Sequence, residues 1–224
     1  KNCYLLNGVG LDLNQYKKLS QKEILSKKKE LGLKENDFVV LMIAELNENK
    51  NQVQLIEAME VLKDTYPEIK AICVGEGDKL LELQSEVKNR GLEGKVNFLG
   101  FRNDINELIN ICNIGVLLSY REGLPRNLME LMACGKKMIA TNIRGCRDIV
   151  VDETVGELVE VGDYKATAKA IEEQYLYGDN EFIISKEIEK YDVKTINEGL
   201  RFIYKQLEEG GYYHKEGYAY SANE

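Results

Sequence analysis

From Asp37 onward, short apolar runs rich in β-branched residues alternate with amphipathic stretches. That alternation confines the chain to βαβ units around a parallel sheet. FVVLMIAEL, residues 38–46, reads as a strand buried on both faces. Leu55, Ile56, Met59 and Leu62 follow at helical spacing and predict a helix with one core face. Residues 69–75 form a second strand, and residues 78–90 a helix stopped by Gly91. The unit repeats as strand 95–100, helix 104–112 and strand 114–119. A helix over 126–134, closed by Gly135, leads into strand 137–141; 156–161 is a last short strand, and 164–177 and 193–207 are terminal helices. The predicted fold class is α/β, a Rossmann-like parallel sheet of about six strands with helices on both faces and no internal repeat.

The ends read differently. Residues 5–16 are loop-like and glycine-punctuated, and the helix after them carries Lys27, Lys28 and Lys29, a charge run expected to be a solvated face. Residues 208–224, with four tyrosines, lack an apolar period and read as a flexible tail. Domain bounds are therefore 1–20, 21–207 and 208–224.

Composition removes whole classes of function. A net charge of -8 argues against nonspecific nucleic-acid binding. The single histidine, His214, lies in the tail, so Ser-His-Asp, Cys-His and most zinc chemistries are excluded from the folded body, and no metal site is expected. Five scattered cysteines, Cys3, Cys73, Cys112, Cys134 and Cys146, without a C-x-x-C pair, read as reduced and mostly buried thiols of a cytoplasmic protein. There is no leader-like start and no run near the roughly 20 apolar residues of a membrane span. Carboxylates, lysines and backbone amides must carry any chemistry.

In an open α/β sheet, ligands bind outside the carboxyl ends of the strands. After the fourth strand comes SYREGLPRNLMELMACG, residues 119–135. Pro125 suits the first helical position, and the amides beyond it form a site for phosphate. Glu122 lies before that helix end and Glu130 inside it, away from Leu128, Leu131 and Met132. Such a pair can hold a sugar hydroxyl and a ribose diol through charge-assisted hydrogen bonds. Spacing alone also fits two surface glutamates. In ELNENKN, residues 45–51, Lys50 stands at a helix mouth, where it is either solvent-screened or partnered by a bound anion. VGEGDK offers Gly75 and Gly77 for close backbone approach, a weak signal by itself. In FLGFRND, Arg102 can flank a base, and Asp104 is expected to cap the next helix. Arg144, Gly145, Arg147 and Asp148 serve either as turn and cap residues or as an anion contact.

EGLPRNLMELMACG resembles the signature of family-4 glycosyltransferases, in which two glutamates enclose seven residues. NGVGLD near Gly8 resembles the interdomain linker of that family, LNENKN its lysine loop, VGEGDK its glycine loop and residues 98–125 its base-to-sugar stretch, so the likeness runs from about Asn7 to Leu207. The resemblance implies the C-terminal, donor-binding half of the GT-B architecture, with a missing N-terminal acceptor-binding domain that would also carry any peripheral membrane association. It implies a retaining hexosyltransferase acting in bacterial capsule or other polysaccharide assembly, inactive as an isolated chain, with a nucleotide sugar, most simply a UDP-sugar, as substrate and no cofactor. Carried over by position, Glu130 binds the ribose hydroxyls, Glu122 the donor hexose, Gly123 and Leu124 amides the sugar or phosphate, Lys50 the diphosphate, and Arg102 the base. Glu45 departs from the pattern, which has arginine there; Arg126 or Arg147 is the candidate compensating cation. The rival readings are another GT-B enzyme, such as a nucleotide-sugar epimerase, and a non-catalytic nucleotide-sugar-binding module.

Overall fold

The computed structural model describes residues 4, 6–177 and 186–208. The tail beyond residue 208, with its tyrosines and His214, and Cys3 lie outside the described residues.

Six strands form one all-parallel sheet: β1 (Phe38–Ile43), β2 (Ile69–Val74), β3 (Val96–Phe98), β4 (Ile114–Leu117), β5 (Lys137–Thr141) and β6 (Gly156–Val159). Their spatial order is β3-β2-β1-β4-β5-β6, the Rossmann order, so the direction of winding reverses between β1 and β4. Successive side chains of a strand face opposite ways, and β1 divides accordingly. Val39 and Leu41 enter a core built with α4 (Ile105–Ile111) and α5 (Arg126–Ala133). Phe38, Val40 and Met42 enter a second core with α2 (Gln52–Leu62), α3 (Leu80–Asn89) and α7 (Tyr164–Tyr177). Both faces are covered, which is why the strands read as continuous apolar runs. Among the described residues, no helix is long and apolar enough to cross a membrane.

The first strand is shorter than its apolar run. The strand register with β2 ends at Ile43 and Val74, although Ala44 N still donates to Val74 O and Leu46 N to Glu76 O, so the two loops run on side by side beyond the strands. A four-residue helix, α6 (Arg144–Arg147), occupies the stretch read from sequence as turn and cap residues or an anion contact.

The lysine run on α1 (Gln21–Glu30) is not a wholly solvated face. Lys28 is 8 % exposed and its Nζ donates to the carbonyls of Glu35 and Asp37, so it ties the helix to the turn before β1. Burial lowers its pKa. The helix starts at a capping box in which Ser20 and Glu23 satisfy each other's amides.

The segment before α1 is docked along its length. Leu11 is fully buried, its amide donates to Tyr191 O, and its carbonyl accepts from Val193 N at the start of α8 (Val193–Glu208). Further on, Lys17 N donates to Asn106 Oδ1 and Leu19 N to Asn110 Oδ1, both on α4.

Candidate functional site

At the winding reversal the loops after β1 and β4 meet and are stitched largely through main chain. Tyr120 N donates to Asn49 O, Asn49 Nδ2 to Arg121 O, and Asn51 Nδ2 to Leu118 O. Asn51 adopts a left-handed conformation (φ 54°) that lets the short turn at Glu48–Lys50 run directly into α2. Asn127 Nδ2 donates to Ile43 O, fixing the start of α5 to the end of β1. Gly145 closes the third side: an added Cβ would lie 2.4 Å from Gly123 O and 2.7 Å from Glu122 O.

Lys50 and Glu122 are brought together across this seam, Nζ to Oε1 at 2.5 Å, with side-chain exposures of 22 % and 11 %. Each charge compensates the other in a partly desolvated position.

Pro125 is the residue just before α5 rather than its first helical residue. Its φ of -70° is close to the helical value, but its ψ of 112° is extended. Leu128 N is satisfied by Asn127 Oδ1, whereas the amides of Gly123, Leu124, Arg126 and Asn127 have no acceptor among the described residues. Free donors at a helix start attract an anion.

Glu130 lies one turn inside α5 and is 8 % exposed. Its Oε1 accepts from Tyr16 Oη at 2.8 Å and from Arg126 Nε at 2.9 Å. Burial, and then the hydrogen bond to Glu130, push the Tyr16 phenol up to about 12. The hydrogen bond to Glu130 likewise raises the Arg126 pKa.

The other predicted residues are placed differently. Gly75 and Gly77 allow close approach, but to protein: a Cβ on either would lie 2.1 Å from a β1–α2 loop carbonyl, Ala44 O or Leu46 O. Arg102 is held by Asp104 and Glu30 on the side of α1. Asp104 stands at the N-cap position of α4 without capping it, since its carboxylate is taken by Arg102 and Lys27; those partners hold it well below the usual carboxylate range. Glu45 is exposed, and its carboxylate pairs with nothing among the described residues. Of the two candidate compensating cations, Arg126 is engaged by Glu130, and Arg147 donates to Asn142. The cysteines at 73, 112, 134 and 146 are buried free thiols, pushed by burial up to between about 11 and about 12.

Tyr16, Asn49, Asn127 and the buttressing role of Gly145 carried no sequence signal, because each acts across long separations; Tyr16 and Glu130 are 114 positions apart. A separate groove of about 550 Å³ opens beside edge strand β3, lined by residues that include Leu31, Leu33, Val87 and Phe98. It contains none of the residues at the β1–β4 seam, where the titratable groups and free amides converge, and we place the candidate site at the seam.

Residues 23–194 match the family model described as Glycosyl transferases group 1. A Bacillus subtilis (strain 168) protein named for a glycosyltransferase, EpsD, is 38% identical over 170 residues, which is 76% of this chain and 45% of that protein. The Escherichia coli UDP-Gal:alpha-D-GlcNAc-diphosphoundecaprenol alpha-1,3-galactosyltransferase is 31% identical over 165 residues, 72% of this chain and 42% of that enzyme. A crystal structure of Anabaena Alr3699/HepE in complex with UDP and glucose matches with a TM-score of 0.80 and 30% identity, over 88% of this chain and 55% of that one. The chain thus spans less than half the length of the two relatives.

Proposed function

The chain belongs to the group 1 glycosyl transferases, with the fold of a GT-B C-terminal domain, and from that membership we propose that its β1–β4 seam holds the nucleoside diphosphate sugar of a retaining hexosyl transfer. The observation that carries this reading is the convergence at one seam of a lysine, two glutamates and four unpaired amides. A nucleotide sugar is the ligand that uses them all. Lys50 and the amides around Pro125 take the diphosphate, Glu122 a hydroxyl of the hexose, and Glu130 the ribose diol. UDP is the nucleotide of choice, since the Anabaena neighbour's structures contain UDP, UDP with glucose, and UDP-glucose.

In the transfer, the bond from the anomeric carbon to the diphosphate oxygen breaks, a bond to an acceptor hydroxyl oxygen forms on the same face of the sugar, and the hydroxyl proton passes to the departing diphosphate. Negative charge collects on the leaving diphosphate while the sugar gains oxocarbenium character. Lys50 and the helix-start amides are aimed at that growing negative charge, so they stabilise the transition state more than the ground state. Glu122 orients the hexose. Polysaccharide or glycoconjugate assembly is the proposed setting, in keeping with relatives named for transfer to diphosphoundecaprenol-linked sugars.

The test is calorimetry with a panel of nucleoside diphosphates, followed by transfer from radiolabelled UDP-sugars by the full-length polypeptide. By itself the 224-residue chain is expected to bind UDP and transfer nothing. Absence of binding to every nucleotide in the panel refutes the donor-site reading, and transfer by the 224-residue chain refutes its dependence on a second domain.

A further inference from the structure

The Tyr16 hydroxyl and the Arg126 guanidinium converge on one oxygen of Glu130, at 2.8 and 2.9 Å. A carboxylate oxygen has two lone pairs, and these two donors occupy both on Oε1. Oε2 accepts no hydrogen bond among the described residues. The two donors reach Oε1 from different parts of the chain. Arg126 comes from the preceding turn of α5, and Tyr16 from the segment that precedes α1.

Tyr16 is itself fixed on both sides. Before it, the buried Leu11 is hydrogen-bonded to Tyr191 and Val193, and Asp12 caps the turn that ends at Gln15. After it, Lys17 and Leu19 are held by Asn106 and Asn110, and the Asn110 amide returns a bond to Lys17 O at 2.9 Å. A hydroxyl held on such a frame fixes the carboxylate rotamer.

We propose that Tyr16 and Arg126 are positioning residues for nucleoside recognition: they clamp Oε1 of Glu130 and thereby present Oε2 to the vicinal diol of a ribose. This rests on the reading of Glu130 as the ribose ligand. The phenol stays protonated, and so stays a donor, throughout the neutral range, since burial and Glu130 push its pKa up to about 12. Arg126 commits its Nε to Glu130. The segment that carries Tyr16 becomes part of the nucleotide site although it lies outside the loops that follow the strands.

The experiment is titration of the full-length protein with UDP and with 2′,3′-dideoxy-UDP, for the wild type, Tyr16→Phe, Arg126→Gln and Glu130→Ala, alongside thermal unfolding. A ring of nearly the same shape makes Tyr16→Phe the clean variant. The expected result is UDP binding weakened by about 3- to 10-fold in Tyr16→Phe and in Arg126→Gln, with dideoxy-UDP binding unchanged, so that the ratio between the two ligands shrinks. A loss of packing alone would weaken both ligands together and overturn the proposal. So would an unchanged ratio in Tyr16→Phe when Glu130→Ala abolishes it, an outcome that leaves the ribose role of Glu130 intact. Tighter UDP binding by Tyr16→Phe also overturns it, because the hydroxyl would then be competing with the ribose. An unchanged ratio in Glu130→Ala refutes the ribose reading itself, and the positioning role with it.

Discussion

Replacing Lys50 with alanine leaves Glu122 as a carboxylate with 11 % side-chain exposure and no counter-charge. At an N···O separation of 2.5 Å and an effective dielectric near 20, the gross attraction is about 5–7 kcal/mol. The net loss is smaller, since the lysine side chain keeps 22 % exposure and water takes over part of the solvation. Fully buried pairs lose about 3–5 kcal/mol when one partner goes and exposed pairs about 0–1, so a loss of about 1–3 kcal/mol is expected here. For a chain of this size that lowers the unfolding midpoint by roughly 3–10 °C. Glu122→Gln in the Lys50→Ala background removes the stranded charge and is expected to recover about 1–2 kcal/mol, which makes the pair measurable as a double-mutant cycle. Transfer is affected more strongly. Loss of one preorganised charge at the leaving diphosphate is expected to reduce kcat by about 100- to 1,000-fold, with a smaller change in KM. Differential scanning calorimetry and initial-rate kinetics on the same four proteins decide the matter. An unchanged midpoint refutes the desolvation argument, and an unchanged kcat refutes the leaving-group role of Lys50.

Gly145→Ala puts a methyl group 2.4 Å from Gly123 O, so the Glu122 loop must shift, and donor affinity is expected to fall about 10-fold or more; titration with a UDP-sugar checks it, and unchanged affinity means the loop yields without consequence. Asp104→Asn removes a carboxylate whose pKa is depressed by Arg102 and Lys27, and is expected to cost about 1 kcal/mol near pH 7. A depressed carboxylate stabilises above its unfolded pKa and loses that contribution as pH falls toward the folded one, so the gap to the wild type should narrow below about pH 4 in denaturant titrations. A gap that does not change with pH contradicts the ion cluster. The thiols of Cys73, Cys112, Cys134 and Cys146, buried and with raised pKa values, are expected to resist alkylation at pH 8 until the protein unfolds; peptide mapping of rapid native labelling at any of them would disprove it.

The strand and helix succession was legible because a sheet buried on both faces demands continuous apolar runs, and its helices demand a core-facing stripe. Bounds slipped where the core extends past the ladder: Leu46 is buried like a strand residue yet belongs to the β1–α2 loop. That Glu122 and Glu130 flank the start of one helix was legible from the sequence around Pro125. What each carboxylate touches was not, since Lys50 and Tyr16 reach them only through the fold. Side-chain type misled at two charged positions. Lys28 looked solvated in a run of lysines, but carbonyls of the following turn claim it; Asp104 looked like a cap, but Arg102 and Lys27 claim it. Gly75 and Gly77 signalled close approach correctly without showing that the approaching backbone is the protein's own.

The contacts that hold the Glu122 loop in place run largely to main-chain atoms: Asn49 O, Arg121 O, Leu118 O, and the carbonyls of Glu122 and Gly123, which leave no room for a Cβ at Gly145. A carbonyl keeps its position when the side chain beside it is exchanged. The seam therefore separates a fixed chassis from interchangeable readers. On the donor-site reading proposed above, the side chains that meet the sugar are open to exchange, while the asparagines and the glycine that brace the loop have no such freedom.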